Sequence, residues 1–246
     1  MRVVIHQPYF IPWLGYFSKL AFSDAFVILD NVNFSKRHYL DRTKYVSMDG
    51  EIKWLSLPVG ENFGKKLSEV EVAMPDKAYI EKILRAISHS YAKADYFRSE
   101  WDALHKAIKA PLDEHTNLVE INKEIIGNIM GILGLSLPKI YIASELTNET
   151  DATKRIISIC DSIGADSILV GGGKSMEVHD WNKIKGHLTL YIQNYMVSHP
   201  IYRQVRRQRL TFEKGLSVID ALLNVGTEST KQFISDSRYN PVRVET

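Results

Sequence analysis

Val3-Val4-Ile5-His6-Gln7-Pro8-Tyr9-Phe10-Ile11-Pro12-Trp13-Leu14-Gly15-Tyr16, with Ala25-Phe26-Val27-Ile28-Leu29 shortly after it, decides the fold. The apolar run at 3–5 reads as a short buried strand. Pro8 and Pro12 keep the next stretch irregular, because proline lacks an N–H and fixes φ. A helix can start only after Pro12, with Leu14, Phe17, Leu20 and Ala21 on one face. Ser23-Asp24 ends it before a second apolar strand at 25–29. Strand, helix, strand is the opening of an α/β protein.

Working outward, residues 44–48 and 52–57 flank Asp49-Gly50, a dipeptide suited to the left-handed angles of a tight turn, and predict a β-ribbon decorating the sheet. Ile80, Ile83, Leu84, Ile87 and Tyr91 recur at helical spacing after Pro75-Asp76. Further helices are expected near 95–109 and 116–133. The α/β rhythm resumes with strands at 139–143, 167–170 and 188–193 and a helix carrying Ile156, Cys160 and Ile163, which makes Cys160 a core residue rather than a nucleophile. The expected architecture is a Rossmann-like, largely parallel sheet in one α/β domain over residues 1–246, with a β-hairpin and a helical insertion at about 75–135.

Composition narrows the function. Hydrophobic residues at 45% and charged residues at 24% describe a chain that buries a core. A net charge of +2 gives no field to draw the chain onto a polyanion, so nucleic acid is an unfavoured partner. One cysteine excludes an intramolecular disulfide and a thiolate metal cluster. No signal peptide and no run of about 20 apolar residues are evident, so the expectation is a cytoplasmic protein with no membrane span. The sequence leaves the oligomeric state open.

Four clusters can carry chemistry. His6, Gln7, Tyr9 and Trp13 leave the first strand, and loops at strand carboxyl ends face the ligand crevice of open α/β sheets. A His there serves as acid, base or phosphate donor. Asp30, Asn31, Asn33, Lys36 and Arg42 follow the second strand, offering hydroxyl contacts and positive charge for phosphate or carboxylate, or else forming an ordinary solvated loop with a cap. The turn with Gly172 and Lys174 lacks the P-loop spacing, since Ile168 stands where the first glycine is needed, and remains either an anion turn or a plain flexible one. His199, Tyr202, Arg203, Gln204 and Arg206 form a dense basic and aromatic cluster that suits a diphosphate, or else a solvated helix face. The remaining histidines lack metal-motif spacing, and no metal site is expected.

The combination resembles the WbqC-like family of bacterial surface-polysaccharide (O-antigen) biosynthesis proteins. The likeness rests on His6-Gln7-Pro8, Pro12-Trp13-Leu14-Gly15-Tyr16, the 30–36 segment, His199-Pro200-Ile201-Tyr202-Arg203-Gln204 and the run from Leu216 to Gly226, in order along the chain. The chain departs from the family pattern at Asn33, usually Gln, and at Val170-Gly171, usually Ser-Gly. The resemblance implies an enzyme acting on a nucleotide-linked amino sugar, forming an amide by acyl or aminoacyl (for example glycyl) transfer to the sugar amine. A fainter likeness to adenylate-forming enzymes of the pantothenate synthetase type implies ATP as a candidate co-substrate, although Gly15 is followed by Tyr16 where those enzymes carry His. In that scheme His6 is the acid or base, with His199 as a second catalytic group. Asp30 orients the amine, and Lys36, Arg42, Arg203 and Arg206 hold phosphates. The competing scheme is a non-catalytic sugar-nucleotide binding or assembly factor. Both expect His6 and His199 to line one cleft.

Overall fold

The structure, a computed structural model, describes residues 1–35, 38–60, 62, 64–73, 77–207 and 211–245, with the side chains of residues 77, 174 and 175 excepted. In chain order the elements are β1 (Arg2–His6), α1 (Leu14–Ala21), β2 (Ala25–Ile28), β3 (Arg42–Val46), β4 (Ile52–Ser56), α2 (Lys77–Tyr91), α3 (Phe97–Glu114) and α4 (Leu118–Ile132). There follow β5 (Lys139–Ile142), α5 (Ala143–Leu146), α6 (Ala152–Ile163), β6 (Ser167–Gly171), α7 (Trp181–Lys185), β7 (Thr189–Gln193), α8 (Val218–Ser235) and β8 (Val242–Arg243).

The main sheet runs β5-β2-β1-β6-β7-β8, parallel except for β8, which pairs antiparallel with β7. Counting only its own strands, this is the 3-2-1-4-5-6 order of doubly wound folds, whose direction of growth reverses between the first and fourth strands, here β1 and β6. Alternate residues face opposite layers. Val3, Ala25, Val27, Ile168 and Leu190 pack with Ile156, Ile159 and Cys160 of α6 and Ile184 of α7. Val4, Phe26, Ile28 and Leu169 face the larger core, built with α1, α8 and the helices α2–α4. Cys160 is fully buried, and burial pushes its thiol up to about 12, as its core reading requires.

The hairpin forms, but as a two-stranded sheet of its own beside α2 and α8 and not as an addition to the main sheet. Its turn is longer than two residues: Ser47 N–H donates to Glu51 O, Gly50 N–H donates to Ser47 O, and only Gly50, with φ 84°, takes the left-handed angle. Helix α3 continues past 109 through Pro111. Proline leaves the carbonyl four residues earlier without its helical donor, and the Asn128 amide of α4 donates to that Ala107 oxygen at 3.2 Å. A partner on another helix therefore stabilises a helix that local sequence would end.

Candidate functional site

At the exit of β1, His6 Nδ1 lies 2.8 Å from Gln7 O, which is an acceptor only. Nδ1 must therefore carry the proton, and Nε2 presents a lone pair with no hydrogen-bond partner among the described residues. Tyr9 and Tyr16 stand edge-on to the ring at 4.7 and 5.0 Å, and Tyr16 also donates to Gln7 O at 3.0 Å. Burial, then the charge of Lys19, hold the imidazole well below 6.5, so His6 is neutral at pH 7. Burial likewise raises Tyr9 to about 12 and Tyr16 well above its ordinary value, which excludes both phenols as anionic bases.

The loop that presents His6 is held firmly. Asn122, fully buried on α4, donates to Pro8 O and Leu40 O at 3.0 and 2.8 Å. Ile11 takes φ 43°, a strained angle for a β-branched residue, and its carbonyl accepts from Thr43 Oγ1 and Ser217 Oγ. Trp13 folds over Gly15, where a Cβ would come within 2.4 Å of the indole, and its ring meets Tyr195. Gly15 is therefore required beneath the indole. Val218 N–H donates to Pro12 O, so the start of α1 is packed against the chain entering α8.

At the exit of β2, buried Asp30 accepts from Ser144 N–H at 2.8 Å and from Ser144 Oγ at 2.6 Å, fixing the start of α5. Next to it opens a cleft of about 400 Å³ whose walls include Asn31, Asn33, Lys66, Ser144, Glu149 and Arg155. The Asn31 amide donates to Thr147 O, while its buried Oδ1 has no partner. Such an acceptor suits a ligand hydroxyl or ammonium. Beyond it, Arg42 lies over the Trp54 ring at 4.0 Å, and Tyr9, Tyr39 and Trp54 form a run of contacting rings leading back to His6. Lys36 lies outside the described residues.

At the exit of β6, Gly172 N–H donates to Gln193 O, and a Cβ there would sit 1.8 Å from Asn194 Oδ1. Glycine is needed at 172 for this close approach. The side chain of Lys174 lies outside the described region.

The C-terminal cluster has a different character. His199 Nδ1 donates to Pro200 O at 2.8 Å and Nε2 accepts from Gly215 N–H at 3.3 Å, so both nitrogens are engaged and the ring is buried. Tyr202 Oη, Gln204 Nε2 and Tyr91 Oη all donate to the fully buried Asp220 carboxylate, at 2.8, 3.0 and 3.0 Å. Arg206, in the left-handed region at φ 65°, donates to the carbonyls of Ser90, Met48 and His89. Arg203 pairs with exposed Asp95 at 3.6 Å. Lys93, Arg203 and Arg206 border a second cleft of about 470 Å³. The N- and C-terminal motifs do meet, through Pro12, Trp13, Ser217 and Val218. His6 and His199 line neither of the two clefts, and their rings share no contact partner among the described residues.

Sequence reasoning missed Asp220 and Ser144. Asp220 lay inside a recognised motif without an assigned role, and only its long-range contact with Asp30 defines Ser144. On the surface, Glu114, His115 and Glu124 bring three donor atoms within 4.8 Å of one another, and a 2.7 Å contact pairs His115 with Glu124.

The class of protein is thus a doubly wound α/β fold with polar groups gathered at the carboxyl ends of β1, β2 and β5. Residues 7–232 match the WbqC-like protein family, and the chain belongs to that family. It is similar to an uncharacterized protein of Mycobacterium tuberculosis, Rv1507c, at 28% identity over 239 residues, covering 93% of this chain and 95% of the relative. No solved structure matches. No helix among the described residues is long and apolar enough to cross a membrane.

Proposed function

We propose that this WbqC-like chain forms an amide by acyl or aminoacyl transfer to the amine of a nucleotide-linked amino sugar, in bacterial surface-polysaccharide biosynthesis. The observation that carries the reading is the free Nε2 lone pair of a neutral His6 at the exit of β1, one strand from a polar cleft. Amide formation joins the neutral amine nitrogen to the acyl carbon as the bond from that carbon to the donor's leaving group breaks. The nitrogen must shed a proton to a base, and a neutral imidazole with a fixed tautomer is such a base. The sugar hydroxyls fit the cleft at the ends of β2 and β5, where Asn31 Oδ1 lacks a donor and Lys66 and Arg155 offer positive charge, and the sugar amine lies outside that cleft on the His6 side. Asp30 acts through Ser144, fixing the wall of that cleft. His199, with both nitrogens engaged, supports the fold around Gly215 and is assigned no proton transfer.

The test is incubation of the full chain with a panel of nucleotide-linked amino sugars, acyl donors including glycine, and ATP, read by mass spectrometry. An amide product that requires His6 is expected. Saturable nucleotide-sugar binding without product, unchanged by His6→Ala, would replace this reading with that of a non-catalytic binding factor.

A further inference from the structure

Trp54 of β4 is 38% exposed, the one exposed tryptophan among the described residues. A surface apolar residue standing alone needs no explanation, but Trp54 does not stand alone. Strand alternation puts Arg42, Lys44, Trp54 and Ser56 on one face of the β3–β4 ribbon, with Lys44 directly opposite Trp54 and Arg42 on the diagonal. The Arg42 guanidinium lies over the indole at 4.0 Å, and the Lys44 ammonium is 5.6 Å from its centre. Lys44 Nζ makes no hydrogen bond or ion pair among the described residues, and no carboxylate shares this face of the ribbon. The ribbon is anchored to the loop that presents His6: Thr43 Oγ1 donates to Ile11 O at 2.9 Å, and Phe10 N–H donates to Tyr39 O at 2.8 Å. From Trp54 the rings of Tyr39 and Tyr9 lead to His6 in three steps of 5.3, 5.4 and 4.7 Å.

An exposed indole flanked by two cations complements a nucleotide. A base has a π-face to stack on the indole or on a guanidinium plane, and phosphates carry the charge that meets arginine and lysine. One platform of this kind serves a single base, whereas a nucleic-acid strand needs successive ones. We propose that this face of the ribbon is a nucleotide subsite, in which Trp54 stacks the base and Arg42 and Lys44 hold the phosphates. This rests on the reading of the substrate as a nucleotide-linked sugar, and it assigns the nucleotide half to residues that neither the base at His6 nor the cleft at β2 and β5 uses. The base on Trp54 and the sugar beside His6 are then the two ends of one ligand laid along the run of rings.

The test is calorimetric titration of the full chain with the diphosphates of adenosine, cytidine, guanosine, thymidine and uridine, with inorganic pyrophosphate, and with a short single-stranded oligonucleotide. The wild type is compared with Trp54→Ala, Trp54→Phe and Lys44→Gln. Trp54 is exposed, so its variants should fold, and the wild-type titrations stand without them. At least one nucleoside diphosphate should bind more tightly than pyrophosphate, the difference being the stacked base. Trp54→Ala should remove that advantage, a loss of about 5- to 150-fold, and leave pyrophosphate affinity unchanged, while Trp54→Phe should keep most of it. Lys44→Gln should weaken nucleotide and pyrophosphate alike, by about 10- to 150-fold. The proposal is overturned by nucleoside diphosphates that bind no better than pyrophosphate, by nucleotide affinity that survives Trp54→Ala, or by an oligonucleotide that outbinds every nucleotide. Trp54-dependent nucleotide binding without amide product in the mass-spectrometric assay supports the subsite and sinks the amide reading alone. Amide formation that is indifferent to Trp54→Ala does the reverse.

Discussion

Two histidines in similar His-Pro or His-Gln-Pro settings end with opposite chemistry, and one hydrogen bond separates them. Both fix Nδ1–H on a backbone carbonyl, but Gly215 N–H occupies Nε2 of His199 and nothing described occupies Nε2 of His6. His6→Ala should therefore lower kcat by about 100- to 10,000-fold with little change in KM. Because the His6 pKa is depressed, the base stays neutral as pH falls below 6.5, and the wild-type rate should hold there before declining. A rate that already halves near pH 6.5 would count against the assignment. Arg206 behaves differently from its sequence expectation as a phosphate contact. Its guanidinium donates to three main-chain carbonyls on the hairpin turn and α2, so Arg206→Ala should cost on the order of 2 kcal/mol in urea unfolding. If stability is unchanged and only KM rises, the arginine serves the ligand after all.

At the scale of elements, the motif from Leu216 to Gly226 explains itself as architecture. Ser217 caps α8, Asp220 gathers three donors from α2 and the preceding loop, and the Asn224 side chain accepts from Val205 N–H. Gly226 breaks the helix at φ 79° and ψ 172°, and a Cβ there would come within 2.5 Å of the Tyr96 ring. Gly226→Ala combines backbone strain with displacement of an aromatic ring and should destabilise by at least about 2 kcal/mol in urea or thermal unfolding. A variant as stable as wild type would mean that α8 can straighten. The βαβ opening, the helices and the buried Cys160 were legible because periodicity and prolines are local signals. The separate hairpin sheet and the continuation of α3 through Pro111 were not. Each depends on a partner far along the chain, such as Asn128 for Ala107 O. The site was legible in the same proportion: His6 and Asp30 stand at strand exits as expected, whereas Ser144, which binds Asp30 from 114 residues away in the chain, carries no local signal.

For the whole molecule, the node at Asp220 couples stability to pH. Burial outweighs its donors and raises the carboxyl to about 6, against 3.8 for an unburied group. Between those values the folded chain keeps a proton that the unfolded chain has released. The contribution is present at low pH and lost as pH rises through 6, amounting to about 3 kcal/mol for a shift of about two units. His6 and His199, whose values are depressed, act in the opposite sense and lose stability as pH falls below 6.5. Comparing urea unfolding of wild type and Asp220→Asn between pH 4 and 7 cancels the histidines. The stability difference should drift in favour of the variant as pH rises, and parallel curves would refute the linkage.

The strands β2 and β5 are hydrogen-bonded neighbours, yet the hairpin and three long helices intervene between them in the chain. Closing so long a loop adds little equilibrium cost, since each doubling of length adds only about 0.6 kcal/mol. Its weight falls on time instead: nonlocal pairing waits for the intervening chain to collapse, whereas β1 and β2 are joined by one short helix. During refolding, amides bridging β1 and β2 should gain protection from hydrogen exchange before those bridging β2 and β5. Until then β2 presents an unpaired edge to other copies, so refolding yield should drop as protein concentration rises.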